Sequence, residues 1–240
     1  MNKKIILGAL NLLLGISLLA QNSSNELFIP RDIKTAYDQG TRSFKGVPGD
    51  HYFQNTADYV IKAEFNPQTR LLEGTETIEY VNNSRDSLSS IVIKLYQEIY
   101  KKGGMRNFEA SPKEITSGVK IKKLEIDSHQ IDLKNPQTKA KKRGTNLIVK
   151  LPGRFAPSSR HTLKIHWDYK VNIKPKRTGK YDESSYFIGY WYPRISVYDD
   201  VHGWDVNNFL GTAEFYNDVC SYDVQINVPK DFVVCCTGIL

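Results

Sequence analysis

Residues 57–65 read ADYVIKAEF, and apolar side chains occupy every second position of this stretch. The alternating apolar residues are Ala57, Tyr59, Ile61, Ala63 and Phe65. Only Val60 interrupts the alternation. Successive side chains of a β-strand point to opposite faces of its sheet, so a period of two predicts a strand with one buried face. The stretch therefore indicates a core built against a sheet.

The same alternation recurs along the chain. It is clear at residues 91–95, 147–151, 163–169 and 222–228, and weaker at 72–80. No segment after residue 20 keeps a 3.6-residue period over three turns. The sequence therefore predicts an all-β fold, either an antiparallel β-sandwich or a stack of curved sheets.

Short local signals divide these strands. Asn82-Asn83-Ser84 and Pro152-Gly153 are typical of turns. Between residues 119 and 126 the alternation slips by one position at Lys122-Lys123, as it does at a β-bulge. Residues 97–118 form the longest gap between predicted strands, and we expect an exposed excursion there.

The N-terminus has the features of a secretory signal peptide over residues 1–20. Lys3 and Lys4 precede an apolar run that extends from Ile5 to Ala20. This run is shorter than the roughly 20 residues that a spanning helix needs, so we expect export to the periplasm or the medium and no permanent membrane span. Residues 21–50 are polar, with several Pro and Gly, and predict an extended arm before one domain at 51–240.

The chain carries a moderate positive charge. Its formal net charge of +7 falls to +5 without the two lysines of the signal peptide. Basic residues are concentrated in three segments, at 101–106, 139–143 and 170–180. A nucleic-acid-binding surface could carry such clusters, but each lies beside Gly or Pro between predicted strands. We interpret them as solvated loops with weak attraction to anionic surfaces, and we expect no nucleic-acid partner.

Three cysteines, Cys220, Cys235 and Cys236, are an odd number for an oxidising compartment. A hairpin that turns at Pro229-Lys230-Asp231 would place Cys235 opposite about Gln225. That position is too far along the ladder for an unstrained disulfide with Cys220. We therefore expect small, buried, apolar residues in preference to a disulfide.

No catalytic motif occurs in the chain. Zinc peptidases of the His-Glu-x-x-His class need two histidines one helical turn apart and a glutamate between them, and this motif is missing from the sequence. His161 and His166 are the closest pair, but their odd separation on a strand directs them to opposite faces. Gly-x-Ser-x-Gly and Gly-rich phosphate loops are missing too. We therefore assign no catalytic residue, cofactor or metal ligand to this chain.

Residues 186–218, YFIGYWYPRISVYDDVHGWDVNNFLGTAEFYND, concentrate aromatic rings and carboxylates. One interpretation is a recognition surface, where the rings give contact area and the carboxylates hold a cation or an amine. The other is a loop whose rings close one end of a sandwich and whose carboxylates cap turns. Asp199, Asp200 and Asp205 also suggest calcium, but they lack the regular spacing of a dedicated calcium loop.

Three segments resemble the N-terminal β domain of the aminopeptidase N family, which are zinc-dependent gluzincin peptidases. They are Tyr80–Ser84 with Ile91–Leu95, Trp191–Pro193 with Asp199-Asp200, and Tyr222–Pro229 with Val233-Val234 and Thr237-Gly238. Their order and spacing agree with the family over residues 51–240. Better-known members have Cys, Asp, Glu and Pro directly after the aromatic-proline pair, where this chain has Arg194–Tyr198. The difference indicates a divergent bacterial branch.

The resemblance implies that the chain ends near a domain boundary, at Thr237–Leu240, before a catalytic domain that would bind one zinc ion. This domain would then form one wall of the substrate cleft, dock on the catalytic domain and be inactive alone. The third of these segments resembles the strand pair that closes the β domain. The chain itself is therefore not identified as an enzyme, although its parent protein resembles one.

The resemblance also implies a substrate-binding role. In the family, an acidic or amide side chain shortly before the aromatic-proline pair helps to hold the substrate's amino group, and Glu183 is the nearest acidic candidate here. We group Tyr190, Trp191 and Tyr192 with it as substrate-binding candidates. A solvated loop glutamate is the competing interpretation of Glu183. The alternative function is a free-standing carbohydrate- or surface-binding sandwich that uses the aromatic cluster from Tyr190 to Trp204.

Overall fold

A computed structural model describes residues 28–213 and 215–239. The predicted signal peptide lies outside these residues. Within the described part of the chain, no helix is both long and apolar enough to cross a membrane.

The described residues form a six-stranded sheet and a four-stranded sheet, together with two small two-stranded sheets. In order across it, the large sheet contains β14 (Ser221–Asn227), β1 (Thr56–Asn66), β2 (Leu71–Asn82), β8 (Ser159–Lys170), β4 (Lys120–Ile126) and β5 (His129–Gln130). The four-stranded sheet contains β11 (Arg194–Ile195), β3 (Leu88–Lys94), β7 (Asn146–Phe155) and β6 (Ala140–Arg143). The small sheets pair β9 (Thr178–Lys180) with β10 (Tyr186–Ile188), and β12 (Tyr198–Asp199) with β13 (Gly203–Trp204).

Side chains of both larger sheets form one core, which confirms the predicted all-β sandwich. Strand β1 alternates strictly between exposed and buried residues, and the buried ones are the five apolar residues of its period-two pattern. Strand β8 contributes the fully buried ring of Trp167. Because burial of each large side chain contributes about 2 kcal/mol, this single core dominates the stability of the fold.

The core packs so closely that one position requires glycine. Gly74 of β2 lies opposite Trp167 of β8 in the strand register. A Cβ atom at position 74 would lie 2.6 Å from the Trp167 ring. The indole therefore occupies the space that any other residue at position 74 would fill.

The predicted β-bulge is confirmed. The register of β4 against β8 shifts between Ile121 and Lys123, where the sequence alternation slips. His161 and His166 of β8 also face opposite sides of the sheet: His161 contacts Asp127 at 2.6 Å and His166 contacts Glu73 at 2.7 Å.

Strand β14 differs from its prediction. It pairs with β1 in parallel, whereas the other strand pairs of the described residues are antiparallel. Its apolar residues were expected to face a core, yet Tyr222 is 42% exposed and Val224 is 39% exposed. The strand lies at the edge of the large sheet, and its apolar row is only partly covered. Residues 229–239 form no strand, so the predicted closing strand pair is wrong.

The N-terminal segment is not fully extended, contrary to its prediction. Helix α1 (Arg31–Asp38) begins directly after Pro30 and buries Ala36. An ion pair of 2.9 Å between Lys34 and Asp38 joins one turn to the next. Two turns are too short to produce a recognisable 3.6-residue period, which explains why the pattern missed this helix.

The predicted exposed excursion is also partly buried. Short 3₁₀ helices occupy Tyr96–Tyr100 and Pro112–Glu114 in this region, and a third lies further along the chain, at Pro136–Thr138. All five residues of the first one are buried. Tyr96, Ile99 and Tyr100 are largely apolar, whereas the polar Gln97 and Glu98 are held by hydrogen bonds and ion pairs.

Candidate functional site

The aromatic-proline segment lies at one end of the sandwich, and its three rings point to different neighbours. Tyr190 has a positive φ of 51°, so the backbone turns there. Its ring stacks on Phe215 with the centroids 3.4 Å apart. The ring of Trp191 instead packs against Trp167 in the core, at 5.8 Å.

Tyr192 continues the core outward towards β14. Its ring makes edge contacts with Tyr59 of β1 and Tyr222 of β14, at 5.6 and 5.7 Å. Burial raises the pKa of all three phenols, so each is a neutral hydrogen-bonding group at neutral pH. Tyr59 accepts the backbone N–H of Ile195 at 3.0 Å, which ties β11 to β1.

Arg194 supplies the positive charge of this site. It follows Pro193 directly and donates to the Asp218 carbonyl and to the Tyr192 hydroxyl. Its guanidinium also lies 5.9 Å from the centre of the Tyr222 ring. The Cys220 thiol also lies beside this cation, 3.9 Å from the Arg194 guanidinium, and burial raises its pKa. The site is therefore a cation among neutral phenols and a buried thiol, which can bind and orient a polar group.

The acidic residues of the segment cap turns and pair with cations. Asp200 accepts from Thr41 at 2.7 Å and from Arg42 at 2.9 Å. Burial alone would raise the pKa of Asp200, but these hydrogen bonds outweigh it and the pKa is lowered. Asp205 pairs with Lys94 at 2.8 Å. The carboxylates thus match the turn-capping interpretation, and no group of three or more metal-ligating side chains was found within residues 28–213 and 215–239.

Glu183 lies on the β9–β10 connection and points into solvent. Its carboxylate is 99% exposed and pairs with Lys180 at 2.7 Å. The structure therefore does not bring Glu183 together with the three aromatic candidates. Its position corresponds to the solvated loop glutamate of the competing interpretation.

A cleft of about 520 Å³ lies beside the β9–β10 hairpin. Its walls include the end of β1, the end of β14, and one aromatic candidate, Trp191. The apolar residues that line it are Ala63, Phe65, Leu72, Tyr186, Ile188, Trp191, Ile226, Val228, Phe232, Val233 and Val234. Tyr190 lines a separate, smaller cleft, so the predicted substrate-binding set is divided between sites.

Sequence reasoning missed most of this cleft. Ala63 and Phe65 were predicted to be buried, but the period-two pattern does not show that the end of their strand borders an opening. Residues 231–236 complete the rim because they leave β14 without forming another strand. Cys235 and Cys236 lie on this rim and are exposed, and Cys220 is partly buried, so the predicted burial of the cysteines is wrong for the first two.

Comparison with known proteins gives matches to structures alone. No family model and no curated protein matches the sequence. The fold is similar to a two-domain M1 zinc metallopeptidase variant bound to L-tryptophan, with 13% identity, a TM-score of 0.40, and coverage of 76% of this chain and 35% of that chain. The M1 zinc metallopeptidase from Deinococcus radiodurans gives 15% identity, a TM-score of 0.39, and coverage of 76% and 34%.

A more distant match is Legionella pneumophila aminopeptidase A in complex with aspartic acid, with 9% identity, a TM-score of 0.29, and coverage of 48% and 10%. The chain spans about a third of the length of the first two structures. These values describe a likeness of strand arrangement and assign no activity to this chain.

Proposed function

We propose that this chain is the N-terminal, non-catalytic β domain of an exported zinc-dependent aminopeptidase-like metallopeptidase. The observation that carries the proposal is the convergence of the three family-like segments. Strand β11, directly after Pro193, pairs with β3 through Ile195 and Ile93. Tyr192 in turn contacts Tyr222 of β14. The three segments therefore adjoin in the fold, although the first precedes the second by about 100 residues in sequence, as expected if they act together.

The exposed apolar surface of this patch is the proposed docking face for the catalytic domain. Tyr222 and Val224 form an open apolar row on β14, and the row continues through Ile226 and Val228 into the 520 Å³ cleft. Monomeric proteins rarely leave a continuous apolar surface uncovered, and such surfaces mark interaction sites. The unpaired edge of β14 adds backbone donors and acceptors that a neighbouring domain can use.

The cleft itself is the proposed contribution to the substrate-binding wall. Trp191, Tyr186 and Ile188 give it large apolar surfaces. In this role the domain orients a peptide end and excludes water, while the reaction takes place on the catalytic domain. Tyr190, Tyr192 and Glu183 lie outside this cleft, which favours Trp191 among the four candidates.

Zinc belongs to the catalytic domain in this proposal. The described residues do not provide a zinc ligand set, and the sequence has no His-Glu-x-x-His. Peptide hydrolysis itself is therefore assigned to the catalytic domain. Export is part of the proposal because residues 1–20 have the charge and length pattern of a signal peptide.

Two measurements test the proposal. The reading frame after codon 240 should continue into a His-Glu-x-x-His motif, and a stop codon there would favour the alternative of a free-standing binding module. The purified 240-residue chain should bind no stoichiometric zinc and leave an aminoacyl anilide intact. Zinc-dependent turnover by this chain would overturn the assignment, and the longer protein is the matched positive control.

A further inference from the structure

The three basic segments of the sequence meet at one place in the fold. Lys101 of the first segment and Lys142 of the second pair with Glu98, at 3.5 and 3.0 Å. Lys174 and Lys176 of the third segment approach a second carboxylate, Glu114, at 3.3 and 4.0 Å. Segments that we predicted to be separate solvated loops therefore contribute to one cationic surface.

The two carboxylates lie on adjoining turns. Glu98 belongs to the buried turn that ends at Tyr100, and the N–H of Thr116, two residues after Glu114, donates to the Tyr100 carbonyl at 2.8 Å. Each carboxylate is at most 5% exposed, whereas the lysines reach solvent. The negative charges are consequently inside and the positive charges outside.

Positive charge exceeds negative charge at this surface. Arg106 donates to the carbonyls of Ile99 and Lys101, which holds its guanidinium at the same surface. The surface therefore has five cations, the four lysines and Arg106, and two carboxylates. Burial lowers the pKa of Lys176, attraction to Glu114 opposes this shift, and repulsion from Lys174 and Arg106 adds to it. These cations therefore crowd one another, and an added anion would relieve the repulsion.

A small cleft of about 40 Å³ opens beside Lys176. The Lys176 ammonium lies 3.4 Å from the centre of the Phe108 ring, which fixes its position. Gln97 also lines the cleft, is 5% exposed, and donates its amide N–H to the carbonyls of Gly189 and Tyr190. Its Oε1 has no hydrogen-bond partner within residues 28–213 and 215–239. A ligand that combines negative charge with a hydrogen-bond donor would match both Lys176 and Gln97.

We propose that this surface, defined by Lys101, Arg106, Lys142, Lys174 and Lys176, is a phosphate-binding site. Phosphate carries about −1.5 to −2 charges near neutral pH and presents several acceptor oxygens, which suits point-like ammonium groups. Its monohydrogen form retains one O–H, which can donate to Gln97 Oε1. The cleft has room for about two or three water-sized groups, so one edge of a phosphate can enter it beside Lys176, the one of these five cations that lines it.

The first test is a titration of the 240-residue chain with inorganic phosphate at constant ionic strength, balanced with NaCl and followed by calorimetry. We expect saturable binding that the double substitution Lys174→Gln/Lys176→Gln weakens by about tenfold or more, because charge-assisted hydrogen bonds are lost. Lys176→Arg keeps the charge and should therefore weaken binding less than the double substitution does. Lys62→Gln, on the outer face of β1, is the matched control and should change nothing.

A second experiment distinguishes free phosphate from the phosphate of a lipid headgroup. Sedimentation with vesicles of phosphatidylcholine containing phosphatidylglycerol is compared with vesicles of phosphatidylcholine alone. Binding to the anionic vesicles that the double substitution abolishes would identify a headgroup as the source, and binding of inorganic phosphate alone would identify a soluble phosphate. If the double variant does not fold, Lys176→Gln replaces it. Phosphate that acts no differently from chloride, together with no vesicle binding, would overturn the proposal.

Discussion

Glu76 is the residue whose chemistry fits its surroundings least well. It faces the core from β2, between Ile61 of β1 and Ile165 of β8. Neither carboxylate oxygen has a hydrogen-bond partner within the described chain. Burial raises the pKa of Glu76 well above its ordinary value of 4.5, and its carboxyl group interacts electrostatically with the phenols of Tyr59 and Tyr192. Burial without a hydrogen-bond partner among the described residues therefore favours the protonated, neutral form of this side chain in the folded protein.

This residue predicts a pH-dependent stability. Above pH 4.5 the unfolded chain loses the Glu76 proton while the folded chain keeps it, so the free energy of unfolding falls as pH rises towards the folded pKa. The slope from this one group is at most about 1.4 kcal/mol per pH unit. Glu76→Gln should remove that slope in urea unfolding between pH 5 and pH 8. Glu64→Gln, on the exposed face of β1, serves as the control, and parallel curves for both variants would contradict the expectation.

Gly74 gives a second prediction for a single residue. In Gly74→Ala the new methyl group must displace the Trp167 ring, so we expect the free energy of unfolding to fall by about 1–3 kcal/mol. Gly153→Ala in β7 is the matched control, because no atom lies within 4 Å of its added Cβ. Urea unfolding of both variants measures the difference. Equal stability of the two would show that the indole moves at little cost.

Glu76 and Gly74 together explain why the alternation of apolar and polar residues is weakest in β2. Gly74 and Glu76 occupy inward positions where the alternation requires apolar side chains. The first is small because Trp167, almost 100 residues later, fills the space. A local pattern cannot include such a distant partner, so the strand was predicted and its two exceptional residues were not.

Among the secondary-structure elements, β1 and β14 show what alternation can and cannot predict. Both strands alternate cleanly, yet β1 is covered by the second sheet and β14 is not. The pattern states which side chains share a face, whereas burial depends on what packs against that face. The β-bulge of β4 could be predicted because its shift of register changes the local alternation of the sequence.

The pair Ile61 and Val224 tests this difference directly. They are register partners on neighbouring strands, but Ile61 is fully buried and Val224 is 39% exposed. Ile61→Ala should lower the free energy of unfolding by about 2–4 kcal/mol, and Val224→Ala by less than about 1 kcal/mol. Urea unfolding of the 240-residue chain gives both values. A comparable loss at the two positions would mean that β14 is packed as firmly as β1.

For the molecule as a whole, the arrangement separates an apolar surface from a cationic one. The sequence did not reveal the apolar surface on β14 and the cleft rim, because residues 222–228 and the cysteines were predicted to be buried. The cationic surface was visible as three basic clusters, but their convergence depends on the buried carboxylates Glu98 and Glu114. Contacts between residues distant in sequence created both surfaces, which explains why the sequence predicted the sandwich better than its sites.

The docking proposal leads to a prediction for the longer protein. When the catalytic domain covers the apolar surface, backbone amides of residues 221–227 and 232–236 should exchange with deuterium more slowly than in the 240-residue chain. Amides shared by β2 and β8 are the internal control, because they are already paired inside the sheet. Hydrogen exchange measured by mass spectrometry on both proteins gives the comparison. Unchanged exchange in the two segments would place the domain contact elsewhere, since a covered edge strand cannot open to solvent as often as a free one.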